Sequence, residues 1–216
     1  TLNTVYAKGH RGNHEVIGIY EPTETPKIPI VHYSLPSNVL TICGSLNNKQ
    51  TEQSVMDVFE RYYQTICDVF HDQFQLIITG RNPGKAIRSV ADAHQHVSLI
   101  PNPKRIDDVI CNAGIFLCPV NCGSGLKLRI MDGMRHGLPI LTHQVSAQGY
   151  EPFFSKPWFR IYYDEASFRK GLKDILKIIS SHNHLREEIT NDYYSLFSFT
   201  NGDKRFMKAI TPFLQS

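Results

Sequence analysis

From residue 39 onward the apolar positions switch between two periods. Val39–Cys43 is a short apolar run closed by Gly44, the pattern of a buried strand. Thr51–Phe70 carries Val55, Phe59, Tyr62, Ile66 and Val69/Phe70 at helical spacing, with polar residues between them. Gln75–Thr79 predicts a second strand stopped by Gly80, Lys85–Ala93 a helix, and Val97–Ile100 a third strand stopped by Pro101. Arg105–Asn112 returns to the helical period through Ile106, Val109 and Ile110, and Ile115–Pro119 predicts a fourth strand. Beyond a loop at 120–125, a helix is predicted over Lys127–His136, with Gly137 in the C′ position and Pro139 just after it. Ile140–Thr142 and Arg160–Tyr163 predict two more strands. Helices follow at Glu165–Ser181, Leu185–Phe197 and Gly202–Leu214.

Strand and helix in alternation imply right-handed crossovers and an α/β fold, a Rossmann-like, mostly parallel sheet with helices on both faces. Sheets of this kind bind ligands outside the carboxyl ends of their strands. The loops to watch are therefore 44–49, 80–84, 101–104, 119–126 and 143–149. Residues 1–38 read differently: Pro22, Pro26, Pro29 and Pro36 punctuate short β-prone pieces such as Val16–Tyr20 and Ile30–Tyr33. They are expected to form a linker or peripheral strands, leaving 39–216 as the ligand-binding domain with its C-terminal helices. The start Thr1-Leu2-Asn3, without Met or a signal-peptide pattern, is that expected of a piece of a longer protein.

Composition narrows the partners. With 41% hydrophobic and 20% charged residues the chain is an ordinary globular protein, and no apolar run is long enough to span a bilayer. A net charge of +3, scattered along the sequence, argues against nucleic acid. It suits a phosphate-bearing ligand, or peripheral contact with an anionic membrane surface. Cys43 and Cys118 lie inside apolar runs, as buried free thiols do, and none of the five cysteines has CxxC spacing; a reducing cytoplasm is the expected setting. The histidine pairs His94/His96 and His182/His184 lack a cysteine or carboxylate at ligand spacing on the same element, so no metal site is expected.

The stretch that bears chemistry runs from Gly123 to Pro139. Gly123, Ser124 and Gly125 let the backbone turn sharply into a helix whose N-terminus, with Leu126 at its entrance, suits an anion. Lys127 and Arg129 add positive charge there. Asp132, three residues after Arg129, shares its helix face and could accept hydrogen bonds from ribose hydroxyls. A surface ion pair between Arg129 and Asp132 is the competing account. Arg81, at a strand end, reads as a phosphate ligand or as an exposed loop residue. Pro101–Pro103 line a base pocket or simply close a turn. His136 is expected to meet the C-terminal carbonyls of its helix, His143 and Gln144 are candidates for donor contact, and Tyr193, Tyr194, Phe197 and Phe199 are packing residues.

Ile77–Pro83, Ile115–Pro119, Gly123–Pro139 and Ala147-Gln148-Gly149 together resemble the C-terminal domain of GT-B glycosyltransferases of the "glycosyl transferases group 1" type. In that family the segment similar to Ser124–Pro139 has a glutamate, seven residues, a second glutamate, and then Ala-Met-x-x-Gly-x-Pro. The resemblance spans about Val39 to Tyr150. It implies the donor-binding domain of a retaining, metal-independent hexosyltransferase of polysaccharide or glycoconjugate assembly, cytoplasmic and inactive without an N-terminal acceptor-binding domain. The implied ligand is a nucleotide-sugar donor such as a UDP- or GDP-sugar, with no further cofactor, and the acceptor is a glycan or glycoconjugate. Asp132 stands at the second glutamate and takes its ribose-binding role. Lys127 or Arg129 takes the basic role on the departing diphosphate, and Gly44, Ser45 and Gly80 border the donor. Two departures from the family pattern stand out. Ser124 replaces the first glutamate, and after the first strand, where many relatives have an arginine and then a lysine, Gly44–Lys49 offers only Lys49. A non-catalytic nucleotide-sugar-binding module and a nucleotide-sugar epimerase on the same scaffold are the alternatives.

Overall fold

The structure is a computed structural model, and it describes residues 18–24, 27 and 35–214. The predicted piece Ile30–Tyr33 lies outside the described residues, as does the start of Val16–Tyr20. The described residues group into two compact units, one carried by residues 35–190 and the other by 18–27 with 191–214. Among them, no helix is long and apolar enough to cross a membrane.

The larger unit holds six strands: β1 (Val39–Ser45), β2 (Gln75–Arg81), β3 (Val97–Pro101), β4 (Ile115–Cys118), β5 (Ile140–His143) and β6 (Phe159–Tyr162). They form one sheet in the order β3-β2-β1-β4-β5-β6, and every pairing is parallel. The sheet turns outward from its middle: β1 continues to β2 and β3 on one side, β4 to β5 and β6 on the other. This is the doubly wound arrangement, with a crevice where the order reverses, between β1 and β4.

The helices between them are α1 (Lys49–Asp57), a π-helical turn at Val58–Tyr62, α2 (Tyr63–Phe70), α3 (Lys85–Ala93), α4 (Asp107–Ile110) and α5 (Arg129–Arg135), and α6 (Glu165–Ser181) follows β6. Successive strand residues face opposite sides. One face sends Leu40, Ile42, Leu76, Ile78, Ile115, Leu117 and Leu141 into a core. That core is closed by Val55, Ile66, Ile87, Phe168 and Leu172 from α1, α2, α3 and α6. On the opposite face α5 lies so close that a Cβ on Gly133 would come 2.6 Å from Phe116 Cγ and 2.9 Å from Ile140 Cδ1. Helices on both faces follow from these two packings.

Four boundaries differ from the periodicity. The helix expected over Thr51–Phe70 begins at Lys49, because Asn48 Oδ1 accepts the Gln50 and Thr51 amides (2.9 and 3.4 Å), and the π turn divides it. The helix expected over Arg105–Asn112 shortens to α4. The one expected from Lys127 begins at Arg129. In the smaller unit, α7 (Leu185–Phe197), which begins in the larger one, is followed by α8 (Phe199–Leu214), which starts before the Gly202 expected. There the Phe197 carbonyl accepts from the Glu21 amide at 2.8 Å, and Tyr20 lies beside Phe199 with ring centroids 6.4 Å apart.

Candidate functional site: a basic cleft at the strand ends

A cleft of about 390 Å³ opens at the carboxyl ends of β1 and β2, within the size range of small-molecule sites. Its floor is two glycines in register, Gly44 and Gly80. Gly80 has φ +149°, and a Cβ on it would fall 1.7 Å from the Gly44 carbonyl oxygen, so only glycine fits. Gly44 in turn leaves room for a side chain from the far half of the sheet. The Arg129 guanidinium lies where a Gly44 side chain would stand, with Nη1 1.8 Å from the position a Cβ would take. Arg129 Nη1 donates to the Cys43 carbonyl and to Thr51 Oγ1, both at 3.4 Å.

Around this floor the walls are basic. Arg81 follows Gly80, Lys104 comes from the loop after β3, and Arg129 opens α5, while Asp132 is the sole carboxylate of the lining. Cys43, nearly buried at the floor, has its thiol pushed up to about 12. Burial is the main cause and the Asp132 charge adds to it, with Arg129 opposing. Pro103 and Ile106 supply an apolar edge on the β3 side. Three cations facing one carboxylate make this a place for a polyanion.

The residues singled out from the sequence divide into two groups. Gly44, Ser45, Gly80, Arg81, Arg129 and Asp132 all line the cleft. Pro101 pairs in register with Gly80 but points out to solvent, and Pro103 takes the place at the lining. Lys49, the first residue of α1, is exposed. Gly123, Ser124 and Gly125 form an exposed bend, where a Cβ on Gly123 would meet the Gln50 side chain at 2.8 Å and one on Gly125 would meet nothing. Leu126 packs beside Gly149. Lys127 turns its ammonium back to the Ser124 carbonyl at 3.2 Å.

The late start of α5 has a local cause. The Lys127 carbonyl accepts from Tyr150 Oη at 2.9 Å and from the Ile130 amide at 3.0 Å, and the Leu128 carbonyl takes the Met131 amide at 2.9 Å. The amides of Ile130 and Met131 thus close a tight turn at the start of α5. The Arg129 side chain brings positive charge from this end of α5 into the cleft.

The glycine-rich bend is fixed to α1 from below. Ser54 Oγ donates to the Gln50 carbonyl (2.6 Å) and accepts from the Asn121 backbone amide (3.3 Å), and the Asn121 side-chain amide donates to Asp57. His136 Nδ1 bonds the Asp132 carbonyl at 2.7 Å, the interaction with its own helix end that the sequence suggested, and Nε2 lies 3.1 Å from Asp107. Burial pulls His136 below the ordinary histidine range, as it does His143 at the end of β5, outside the cleft lining. Among the described residues no three His, Cys, Asp or Glu side chains converge as a metal cage would require.

Sequence reasoning missed Thr51, Lys104 and Ile106. Lys104 was legible, as a cation in a loop at a strand's carboxyl end. Ile106 looked like a core position of a longer helix. Thr51 carried no signal, because its partner lies 78 positions away.

The all-parallel, doubly wound sheet and the basic cleft at its switch point define a Rossmann-like domain suited to an anionic ligand. A family model, Glycosyl transferases group 1, matches residues 37–153, over half of the chain, and the chain belongs to that family. No curated protein matches it in sequence. Among solved structures, it is similar to the pneumococcal O-GlcNAc transferase GtfA in complex with UDP and GlcNAc (13% identity, TM-score 0.64, 100% of this chain and 43% of that one). It is also similar to S. aureus TarM in complex with Fondaparinux, alpha-GlcNAc-glycerol and UDP (8% identity, TM-score 0.64, 88% and 38%). A third likeness is to Anabaena Alr3699/HepE in complex with UDP (8%, TM-score 0.57, 81% and 49%). These likenesses are of fold, and the chain spans less than half the length of each of the three.

Proposed function

We propose that this chain is the donor-binding domain of a retaining, metal-independent glycosyltransferase that passes a hexose from a nucleotide sugar to a glycan or glycoconjugate. The observation that carries the reading is the Arg129 guanidinium lying on Gly44, with Asp132 one helical turn behind it in the same cleft. Transfer from a nucleotide sugar leaves a nucleoside diphosphate, so negative charge grows on the leaving phosphate. A cation already held in place stabilises that charge without reorganising. Arg129, seconded by Arg81 and Lys104, gives the site its own counter-charge, the task a metal ion performs in other transferases. Asp132 accepts hydrogen bonds from the ribose hydroxyls, and Pro103 and Ile106 flank the base.

Ser124, Gly125 and Lys127 do not line this cleft, and in our reading they sit toward the sugar. The acceptor site belongs to a second, N-terminal domain, so the present domain binds donor and does not turn over alone. Its free cysteines suit a reducing cytoplasm, and its mild basic excess suits work beside an anionic membrane.

The test is a thermal-shift screen of UDP, GDP, ADP and their sugar conjugates, with Asp132→Ala and Arg129→Met alongside. Ligand at a hundred times its dissociation constant stabilises by about 2.7 kcal/mol. At roughly 2–4 °C per kcal/mol, that is a shift of about 5–10 °C. A shift with one base that shrinks in both variants is the expected result; no shift with any nucleotide contradicts the proposal. Ser124 at the family's first glutamate favours a second reading, a module that binds the donor without chemistry. It predicts the same shifts, but no release of nucleoside diphosphate when the full-length protein meets its acceptor.

A further inference from the structure

Resting on that reading, we infer that Thr51 is a positioning residue for Arg129, and that the segment after β1 serves the diphosphate through this hydroxyl and not through a cation of its own. Three observations converge on it. The one basic residue of that segment, Lys49, is exposed at the first position of α1 and absent from the cleft lining. The cation that does lie at the end of β1 is Arg129, delivered from a helix 86 positions along the chain from its Cys43 contact. Where it lands, it meets two acceptors on the β1–α1 segment: the Cys43 carbonyl and Thr51 Oγ1.

The two acceptors have different jobs. A carbonyl below the guanidinium is present whatever the side chains are, and it fixes little about the rotation of a long, flexible arginine. Thr51 supplies a second point from the first turn of α1. Its side chain is nearly buried, and its χ1 is restricted by β-branching. Two anchors on one planar group set its orientation as well as its place. The Thr51 backbone is itself held, since its amide donates to the Asn48 cap at 3.4 Å. In this way the cap of α1 is coupled to the charge that faces the ligand.

The experiment is a double-mutant cycle on the full chain with UDP and GDP as probes, the corresponding nucleosides as controls, and affinity read by calorimetry. Thr51→Val removes the acceptor at nearly constant shape, and Thr51→Ala is the second variant should valine fail to fold. Thr51→Ser keeps a hydroxyl. The expected result is a loss of about fivefold in diphosphate affinity for Thr51→Val, the scale of one long charge-assisted hydrogen bond. Thr51→Ser should stay within about twofold of wild type, nucleoside affinity should not move, and Thr51→Val should have no further effect in an Arg129→Met background. A Thr51→Val protein that binds like wild type overturns the inference, and so does a loss that persists without Arg129. If the wild-type chain binds neither diphosphate, the donor-domain reading fails first. The Thr51–Arg129 coupling is then measured on urea unfolding of the same four proteins, where zero coupling refutes it.

Discussion

Gly44 and Gly80 sit side by side in register, yet adding one methyl group to each should have opposite consequences. In Gly80→Ala the new Cβ falls 1.7 Å from the Gly44 carbonyl oxygen, and the backbone there holds φ +149°. Neither strand can yield, because both are central in the sheet. The dihedral costs about 1–3 kcal/mol in an L-residue. Overpacking against backbone adds about 1–3 kcal/mol. Together they come to about 2–6 kcal/mol, a large part of the stability of a domain this size. The melting temperature should then fall by roughly 4–24 °C at about 2–4 °C per kcal/mol. In Gly44→Ala the new Cβ meets Arg129 Nη1 at 1.8 Å, the far end of a flexible side chain that can swing away. Stability should change by less than about 1 kcal/mol, while diphosphate affinity drops about tenfold as the guanidinium leaves its seat, the size of a lost charge-assisted contact. Urea unfolding with equal slopes gives the first quantity and calorimetry the second. A Gly80→Ala protein that melts within about 2 °C of wild type would falsify the floor geometry. A Gly44→Ala protein with undiminished affinity would show that Arg129 does not face the ligand.

Three further outcomes follow from the packing. Cys43 and Cys118, both buried and with thiols pushed upward by desolvation, should resist iodoacetamide at pH 8 in the folded protein. The partly exposed Cys111 and Cys122 should react first, and mass mapping that finds Cys43 labelled early refutes the burial argument. Burial lowers the pKa of His136 and His143, so the unfolded chain takes up protons near pH about 6.5 that the folded one refuses. Their contribution to stability is whole above that pH and is lost as pH falls toward the folded values. Both imidazoles should titrate below the ordinary range by NMR, and urea midpoints should decline from pH 7 to 5. Trp158, the single tryptophan, is fully buried, so its emission should be blue-shifted when folded and move red in one step with urea.

All six strands of the described chain were legible within one or two residues. The cause is physical: parallel strands covered on both faces are short apolar runs, and here Gly44, Gly80 and Pro101 lie where the strands end. Helix ends were less legible because tertiary contacts set them. A π turn at Val58–Tyr62 widens one turn yet leaves Val55, Phe59, Tyr62 and Ile66 at spacings that still read as one helix. Gly202 looked like a helix start, but it sits inside α8, where a Cβ would lie 1.9 Å from the Tyr20 ring. At the site, the glycine-rich pattern pointed to backbone amides as the anion ligands. The Tyr150 hydroxyl, the i+3 bonds that close the turn and the reach of the Arg129 side chain to Gly44 are invisible to any local pattern.

The seam between β1 and β4 also bears on how the molecule acquires its site. Only Leu40↔Ile115 and Thr41↔Phe116 pair across it, while β1 and β2 pair along their whole length. The strand pairs β1–β2 and β2–β3 close short crossovers and can form early. The seam joins segments far apart in sequence, which delays it. Gly44 and Thr51 belong to one side of that seam and Arg129 to the other. A half-folded chain with three strands in place would therefore have the floor with Arg81 and Lys104 but lack Arg129 and Asp132, and would hold the ligand more weakly. Full-strength binding would then report completion of the sheet, and a ligand added during refolding would favour the last step most.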